Sequence, residues 1–160
     1  MRLDWMGIRS RLKTESSRAA LVALLCLGSL QAVSAQGMVS INGRVVNMRE
    51  GPSTSTPALW RLSSGYPLKV VGKRGSWLKV SDFEGDQGWV SKRLTVKTAH
   101  HIVSVPRANL RSGPGSNYRL VGQAVYGDVF RTLEKRKAWV RVQSAQGQKA
   151  WIFRKLLWGW

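Results

Sequence analysis

Short apolar runs, broken by glycines and polar turns, make up most of the chain beyond residue 37. In the segment WLKV, a period of two places Leu78 and Val80 on one face and Trp77 with Lys79 on the other. Because a lysine is rarely buried, we predict that the face with Trp77 points outward. No window of about a dozen residues in this region shows the period of a helix. The pattern therefore predicts an all-β fold of short strands.

The stretch from Ser76 to Val90 recurs without a gap from Ala138 to Ile152, 62 residues further on. A fixed register of this kind indicates a duplicated domain. Short strands at about ten-residue spacing are typical of a small closed sheet. We therefore predict two tandem small β-barrels, residues 38–97 and residues 101–160, after an N-terminal signal peptide.

The second copy repeats the alternation, with Val142 inward and Trp139 beside Arg141 on the outer face. An exposed, flat aromatic ring next to a cation is a good platform for a peptide or a sugar. We therefore predict that these outward pairs, Trp77 with Lys79 and Trp139 with Arg141, bind a ligand. The alternative is that each tryptophan packs against the other barrel or under a loop, since tryptophan is highly buried on average.

Two local features predict how the strands and the barrels are connected. The dipeptide Asn42-Gly43 joins two short apolar runs, which is the strongest short-range signal for a β-hairpin. The connection from Thr95 to His101 is short and lacks the composition of a free linker. We therefore expect a hairpin at the start of barrel 1 and two barrels that sit close together.

A further motif, Asn-x-Arg-x-Gly-Pro, begins at Asn47 and again at Asn109. In each copy a mid-domain turn, Trp-x-Lys/Arg-Val, a glycine turn, a second Trp-Val/Ile and a closing leucine follow. This order resembles the bacterial Src-homology-3-like (SH3b) domain, in tandem, over nearly all of residues 39–160. The second copy departs at Ala150, where the pattern has a glycine. The first copy carries the pattern at Asn47, Arg49, Gly51, Pro52, Gly65, Trp77, Val80, Gly85, Gly88, Trp89 and Leu94.

The resemblance implies a barrel of five to six strands that binds peptides, cell-wall peptidoglycan or protein partners, usually as an accessory module. By the same resemblance, Trp77 and Trp139 match the tryptophan that lines the ligand groove of SH3-like folds. Tyr66 and Tyr118 are weaker candidates for that groove. The later tryptophan of each copy, beside small residues, is expected to be structural.

The chain is strongly basic, with 26 lysines and arginines against 8 acidic residues and a net charge of +18. Many basic residues recur at the 62-residue offset, and Arg49 with Arg111 is the pair that we add to the predicted ligand site. This surface is expected to face a polyanion; the alternative is a solvated surface that aids solubility. Basic residues among aromatics would also suit single-stranded nucleic acid, but the export signal argues against it.

That signal consists of five basic residues within the first 18, the uncharged run from Ala19 to Val33, and small residues up to Ala35. The layout predicts a secretory leader cleaved after Ala35, and a protein exported to the periplasm or secreted. The apolar run is about 15 residues, short of the roughly 20 that span a membrane. The alternative is an uncleaved anchor in the inner membrane. Cys26, the one cysteine of the sequence, lies within the leader, so the chain after the predicted cleavage site has no cysteine.

Side chains for catalysis or metal binding are sparse. His100 and His101 are the two histidines, and adjacent residues on a strand point to opposite sides. Asp82, Glu84 and Asp86 could face a cation, but their pattern favours a polar hairpin turn. No nucleophile stands beside a base, so we predict no enzyme, no cofactor and no metal site.

The sequence favours a non-enzymatic envelope binding module for peptidoglycan, another anionic wall polymer or an extended peptide. Its mechanism would be stacking on Trp77 and Trp139 with basic residues steering the ligand. The alternative is a scaffold or oligomerisation module of a periplasmic protein complex. An amidase or peptidase has no residues in its support.

Overall fold

The computed structural model describes residues 9–11 and 37–160, which form strands joined by turns. The strands of the first sheet are β1 (Arg9–Arg11), β2 (Gly37–Ile41), β3 (Val45–Arg49), β4 (Ala58–Ser63), β5 (Pro67–Arg74), β6 (Trp77–Ser81), β7 (Gln87–Ser91) and β8 (Thr95–Val96). Those of the second are β9 (His100–Val103), β10 (Arg107–Arg111), β11 (Leu120–Val125), β12 (Val129–Arg136), β13 (Trp139–Gln143), β14 (Lys149–Phe153) and β15 (Leu157–Gly159). Single 3₁₀ turns, Lys92–Leu94 and Arg154–Leu156, lead into β8 and β15.

Apart from β1, which adds an eighth strand to the edge of the first sheet, the two sheets have the same topology. Barrel 1 has the strand order β4-β3-β7-β6-β5-β2-β8, and barrel 2 has the order β11-β10-β14-β13-β12-β9-β15. All of these pairings are antiparallel, and strands β10 to β14 begin and end 62 residues after β3 to β7. The predicted all-β fold of two tandem SH3-like barrels is confirmed.

The predicted signal segment, residues 1–35, lies outside the described residues except for β1. This strand pairs antiparallel with the edge of β4, with Arg9 opposite Leu62 and Arg11 opposite Trp60. Cleavage after Ala35 remains a prediction. Within residues 9–11 and 37–160, the structure has no helix long and apolar enough to cross a membrane.

Each barrel has its own apolar core, to which its central strand contributes alternate side chains. On β6 the side chain of Val80 is fully buried, and on β13 those of Val140 and Val142 are buried to 0% and 1% exposure. Trp77 and Trp139, on the opposite faces, are half-buried. The predicted alternation of both strands is therefore confirmed.

The predicted hairpin at Asn42-Gly43 is wrong. β2 pairs with β5 and β8, whereas β3 pairs with β4 and β7, so the two strands on either side of this dipeptide do not pair with each other. Neither residue has the positive φ angle that a two-residue hairpin turn of this type requires. The N–H of Asn42 instead donates to the carbonyl of Leu94, 2.9 Å away, at the far end of the barrel's chain.

The barrels meet at a packed junction. Ile102 of β9 is fully buried within the apolar core of barrel 1, and Val129 and Trp158 pack against that core. The backbone of Gly65, with a φ angle of +79°, comes so close to His100 that a Cβ atom there would lie 2.9 Å from the histidine ring. The close placement of the barrels that we expected from the short connection is confirmed.

Aromatic and polar contacts extend the junction on two sides. The ring of Phe83 lies 5.2 Å from that of Tyr126 in the other barrel, centroid to centroid, and the Tyr126 hydroxyl bonds to the carboxylate of Glu84. At the other side, the Trp160 indole N–H donates to the Ser40 hydroxyl over 3.3 Å. The two barrels therefore contact each other through side chains from several strands, and these contacts together restrain their relative orientation.

Truncation of a core valine tests the assigned alternation. We expect Val80→Ala and Val142→Ala each to lower the free energy of unfolding by about 1 to 3 kcal/mol, because each removes two buried methyl groups from a small core. Chemical denaturation followed by circular dichroism measures this loss. Val71→Ala is the matched control, since Val71 is 40% exposed and its truncation should change stability by under about 0.5 kcal/mol. Equal stability of all three variants would refute the assignment.

Candidate functional site

A groove on the surface of barrel 1, here called groove 1, has a volume of about 390 Å³. Its walls come from β3, β6, the end of β7 and the 3₁₀ turn that follows. Its lining includes Asn47, Arg49, Ser76, Trp77, Ser91, Arg93 and Leu94. Two predicted site residues, Trp77 and Arg49, are therefore brought together.

Barrel 2 has a groove of about 550 Å³ at the corresponding place, here called groove 2. Six of its lining residues stand 62 positions after a lining residue of groove 1, and four of these have the same residue type in both grooves, so Trp139 and Arg111 also meet. These four are Asn109, Arg111, Trp139 and Leu156. The asparagine and leucine of each groove were not among the predicted site residues. Their recurrence at the same offset as the tryptophan is the signal that could have found them.

An arginine ties down one wall of each groove. The Arg49 Nη1 group donates to the carbonyl of Thr56 over 2.6 Å, and the Arg111 Nη1 group donates to the carbonyl of Tyr118 over 2.8 Å. Both carbonyls belong to the Gly-Pro loop that connects the two strands beside the groove. Since a guanidinium has five N–H donors, each arginine can fix its loop and retain donors for a ligand.

The two grooves differ at the position opposite their tryptophan. Trp139 pairs across the sheet with Phe153, and the ring centroids are 5.5 Å apart in a tilted arrangement. Trp77 pairs with Ser91 at the same place. Trp77 therefore stands beside a small hydroxyl side chain, whereas Trp139 belongs to an aromatic pair.

A family profile described as "Bacterial SH3 domain" matches residues 42–97, and a second profile with the same description matches residues 106–157. Together they cover more than half of the chain. The chain belongs to the bacterial SH3 domain family. It carries two such domains in tandem, as the sequence motifs indicated.

One curated relative of this SH3 chain is a putative N-acetylmuramoyl-L-alanine amidase, YrvJ, from Bacillus subtilis (strain 168). The two are 25% identical over 130 residues, which are 74% of this chain and 25% of the relative. The SH3 chain therefore spans about a quarter of that protein's length.

Solved structures similar to the chain include NlpC2 from Trichomonas vaginalis, at 16% identity and a TM-score of 0.35. That similarity covers 77% of this chain and 48% of the other. Another is an NlpC/P60 family protein from Bacillus cereus, at 18% identity and a TM-score of 0.36, covering 76% of this chain and 56% of the other.

Lys79 and Arg141, which we predicted to bind a ligand beside the tryptophans, line neither groove of the SH3 pair. Across the sheet Lys79 lies opposite Trp89. Arg141 lies opposite Trp151, with its Nη1 atom 3.9 Å from a carboxylate oxygen of Glu134. The period of two correctly predicts that both side chains lie on the outer face. Each is two residues further along the strand than its tryptophan, however, and at that position it lies outside the groove.

Tyr66 was predicted to be a groove residue, and the structure corrects this. Its side chain is fully buried, its hydroxyl lies 3.4 Å from a carboxylate oxygen of Asp82, and its ring packs 6.2 Å from that of Phe83. Burial against residues close to the junction leaves it out of reach of a groove ligand. Tyr118 is 45% exposed and covers Gly113, so its ring belongs to the loop wall beside groove 2.

Asp82 organises the predicted polar turn. One of its carboxylate oxygens accepts the backbone N–H of Glu84 over 3.0 Å and that of Asp86 over 2.9 Å. The carboxyl groups of these three residues come within 4.8 Å of one another. The two backbone hydrogen bonds stabilise a turn between the paired strands β6 and β7, which confirms that this segment is a polar hairpin turn.

The two histidines lie at the junction, where burial lowers the pKa of both. For His101 burial lowers the pKa to about 4, the charge of Lys135 adds to the effect, and the Trp160 backbone opposes it. For His100 burial is again the largest cause of the lowered pKa, partly offset by a hydrogen bond to the Thr98 carbonyl. The His101 ring bonds through Nδ1 to the Thr132 hydroxyl over 2.6 Å, and its lowered pKa favours the neutral form of this buried ring near pH 7.

Acid should therefore weaken the fold through His101. Its pKa is about 4 in the folded chain against about 6.5 when unfolded, so the unfolded chain binds the proton first as the pH falls. The stabilisation is complete above about pH 6.5 and is lost progressively toward pH 4, by at most about 3 kcal/mol. Urea unfolding at steps between pH 7 and pH 4 measures the loss.

The variant His101→Gln, which does not titrate, should lose less stability over the same interval. His100→Gln serves as the control, since it removes the other junction histidine and leaves His101 to titrate. Parallel stability curves for the parent and His101→Gln would show that His101 does not carry the pH dependence.

Proposed function

We propose that this chain is a binding module of the bacterial cell envelope that holds peptidoglycan, another anionic wall polymer or an extended peptide in its two grooves. The observation that supports this most directly is the recurrence of one constellation in both grooves. Each has a half-buried tryptophan, a loop-fixing arginine, an asparagine and a leucine at equivalent places. Such a set offers a stacking surface together with amide and guanidinium donors.

Charge supports an anionic target. Neither groove is lined by an acidic residue, and the chain as a whole carries a net charge of +18. Exposed basic residues raise the rate of encounter with a polyanion, whereas the contacts inside the groove determine how long the ligand stays. We infer that the tryptophans hold the ligand and that the surrounding basic residues steer it.

The family supports a target in the wall. Membership in the bacterial SH3 family fits a wall-binding role, and the Bacillus subtilis relative is named for an activity on N-acetylmuramoyl-L-alanine. Both support an envelope location, and the predicted signal peptide agrees with export from the cytoplasm. The matched domains are binding modules while the Bacillus subtilis relative is named as an amidase, so the absence of catalysis stays a prediction.

One observation favours the alternative of a protein scaffold. β11 is an edge strand of barrel 2, and its side chains Leu120 and Val125 are 49% and 42% exposed. Open edges with exposed apolar side chains are common places for pairing with another chain. Under this alternative the binding partner would be an envelope protein, and sedimentation with insoluble peptidoglycan would not occur.

Removal of both groove tryptophans tests the proposal. We expect Trp77→Ala with Trp139→Ala to reduce cosedimentation with purified peptidoglycan well beyond tenfold, since a truncated aromatic anchor commonly costs about 2 kcal/mol or more. Circular dichroism should show an unchanged fold, because neither ring belongs to the fully buried core.

The matched control replaces the basic residues two positions along the same strands. Lys79→Gln with Arg141→Gln should mainly reduce the association rate and its dependence on salt, because these side chains lie outside both groove linings. If the double tryptophan variant sediments with peptidoglycan like the parent, the grooves are not the site. Should that variant unfold, the rings are structural.

A further inference from the structure

Groove 1 and groove 2 differ in charge as well as in shape. Arg93 lines groove 1, whereas its counterpart Lys155 is not part of the lining of groove 2. The grooves also differ opposite the tryptophan, where groove 1 has Ser91 and groove 2 has Phe153. Both differences lie next to each other, at the end of the last long strand and in the 3₁₀ turn after it.

The lining of groove 1 combines two guanidinium groups with small hydroxyl side chains. Arg49 and Arg93 supply the positive charge, Ser76 and Ser91 supply hydroxyl donors, and no carboxylate lines the groove. Arg93 is exposed and forms no ion pair with a residue of the described chain. A guanidinium fork matches the two oxygens of a carboxylate, and a hydroxyl adds a further donor.

The lining of groove 2 offers a different chemistry. Its one cationic residue is Arg111, which donates to the loop carbonyl of Tyr118 just as Arg49 donates to that of Thr56, so groove 2 lacks the second guanidinium that Arg93 gives to groove 1. The floor opposite is the aromatic pair of Trp139 and Phe153 with Leu156 beside it. This lining suits the flat face of a neutral group, which gains from apolar contact and stacking and not from charge.

We propose that groove 1 is a carboxylate site, which takes the free carboxyl group of a short peptide, and that groove 2 takes a neutral portion of the ligand. The division of roles rests on the proposed function only in treating both grooves as ligand sites. It assigns Arg93 as the residue that selects the charged group and Ser91 as the small neighbour that leaves room for it.

Two peptides that differ in one charge test the assignment. The ¹⁵N-labelled full chain is titrated with N-acetyl-trialanine bearing a free carboxylate, and separately with the same peptide as its C-terminal amide. We expect the acid to shift the indole N–H signal of Trp77 with an apparent affinity roughly tenfold above that of the amide, as for a charge-assisted hydrogen-bonded pair. Any shift at Trp139 should be the same for both peptides.

The variants identify the group responsible. Arg93→Gln should abolish the preference for the acid at Trp77, and Lys155→Gln, the equivalent change in barrel 2, should leave it intact. Arg93→Lys should retain part of the preference, because it keeps the charge and loses the fork. Raising the salt concentration should reduce the advantage of the acid.

Three results would overturn the proposal: equal binding of acid and amide at Trp77, no shift at Trp77 with either peptide up to tens of millimolar, or a preference unchanged in Arg93→Gln. Cosedimentation with peptidoglycan is a separate readout. A chain that sediments with peptidoglycan but shows no preference for the acid keeps the proposed function and loses the carboxylate site. The reverse pair of results keeps the carboxylate site and removes the wall as the target.

Discussion

The two-residue alternation of β6 and β13 is the constraint on which the rest of the molecule depends, because each strand builds the core with one face and the groove with the other. Val80 is fully buried below β6, while Trp77 stands above it beside Arg49. A shift of register by one residue would exchange the two faces and remove both features together. Core packing and the groove are therefore consequences of the same hydrogen-bond register, and a small barrel has little stability to spare for errors in that register.

The fold could be predicted almost completely from this alternation and from the repeat. A period of two is a local property of the chain, and the offset of 62 residues lets each copy check the other, so strand identity and inward residues such as Val142 were predicted correctly. The grooves could be predicted in part. Trp77 and Arg49 were found, while Asn47 and Leu94 were missed, because their recurrence in the sequence does not by itself show that they line the same groove as the tryptophan.

The failures have a common physical cause, which is competition from long-range contacts. Asn42-Gly43 has the composition of a hairpin turn, yet pairing of β2 with β5 and β8 takes the two flanking strands apart. Tyr66 is an aromatic residue of the kind that lines ligand grooves, yet its contacts with Asp82 and Phe83 hold it in the core. A short window contains neither competitor, so local propensity predicted a conformation that the rest of the barrel overrides.

Positions at which the two copies have different residues identify the contact between the barrels. Ile102, which enters the core of barrel 1, has Ser40 as its counterpart, and Phe83 at the junction has Ala145. In both pairs the residues differ because the two barrels meet through different surfaces, so a position at the junction in one copy has another environment in the other copy.

The same reasoning applies to the pair of Ser91 and Phe153, which lies in the grooves and away from the junction. The core and the arginine that fixes the loop maintain the shape of each groove, so this corner can differ without loss of the fold. The junction then joins two unlike grooves in one chain, and under the proposed function a ligand long enough to reach both would gain from the second contact at a high effective concentration. Duplication followed by divergence at one corner thus gives one chain two unlike grooves, which two identical barrels would not have.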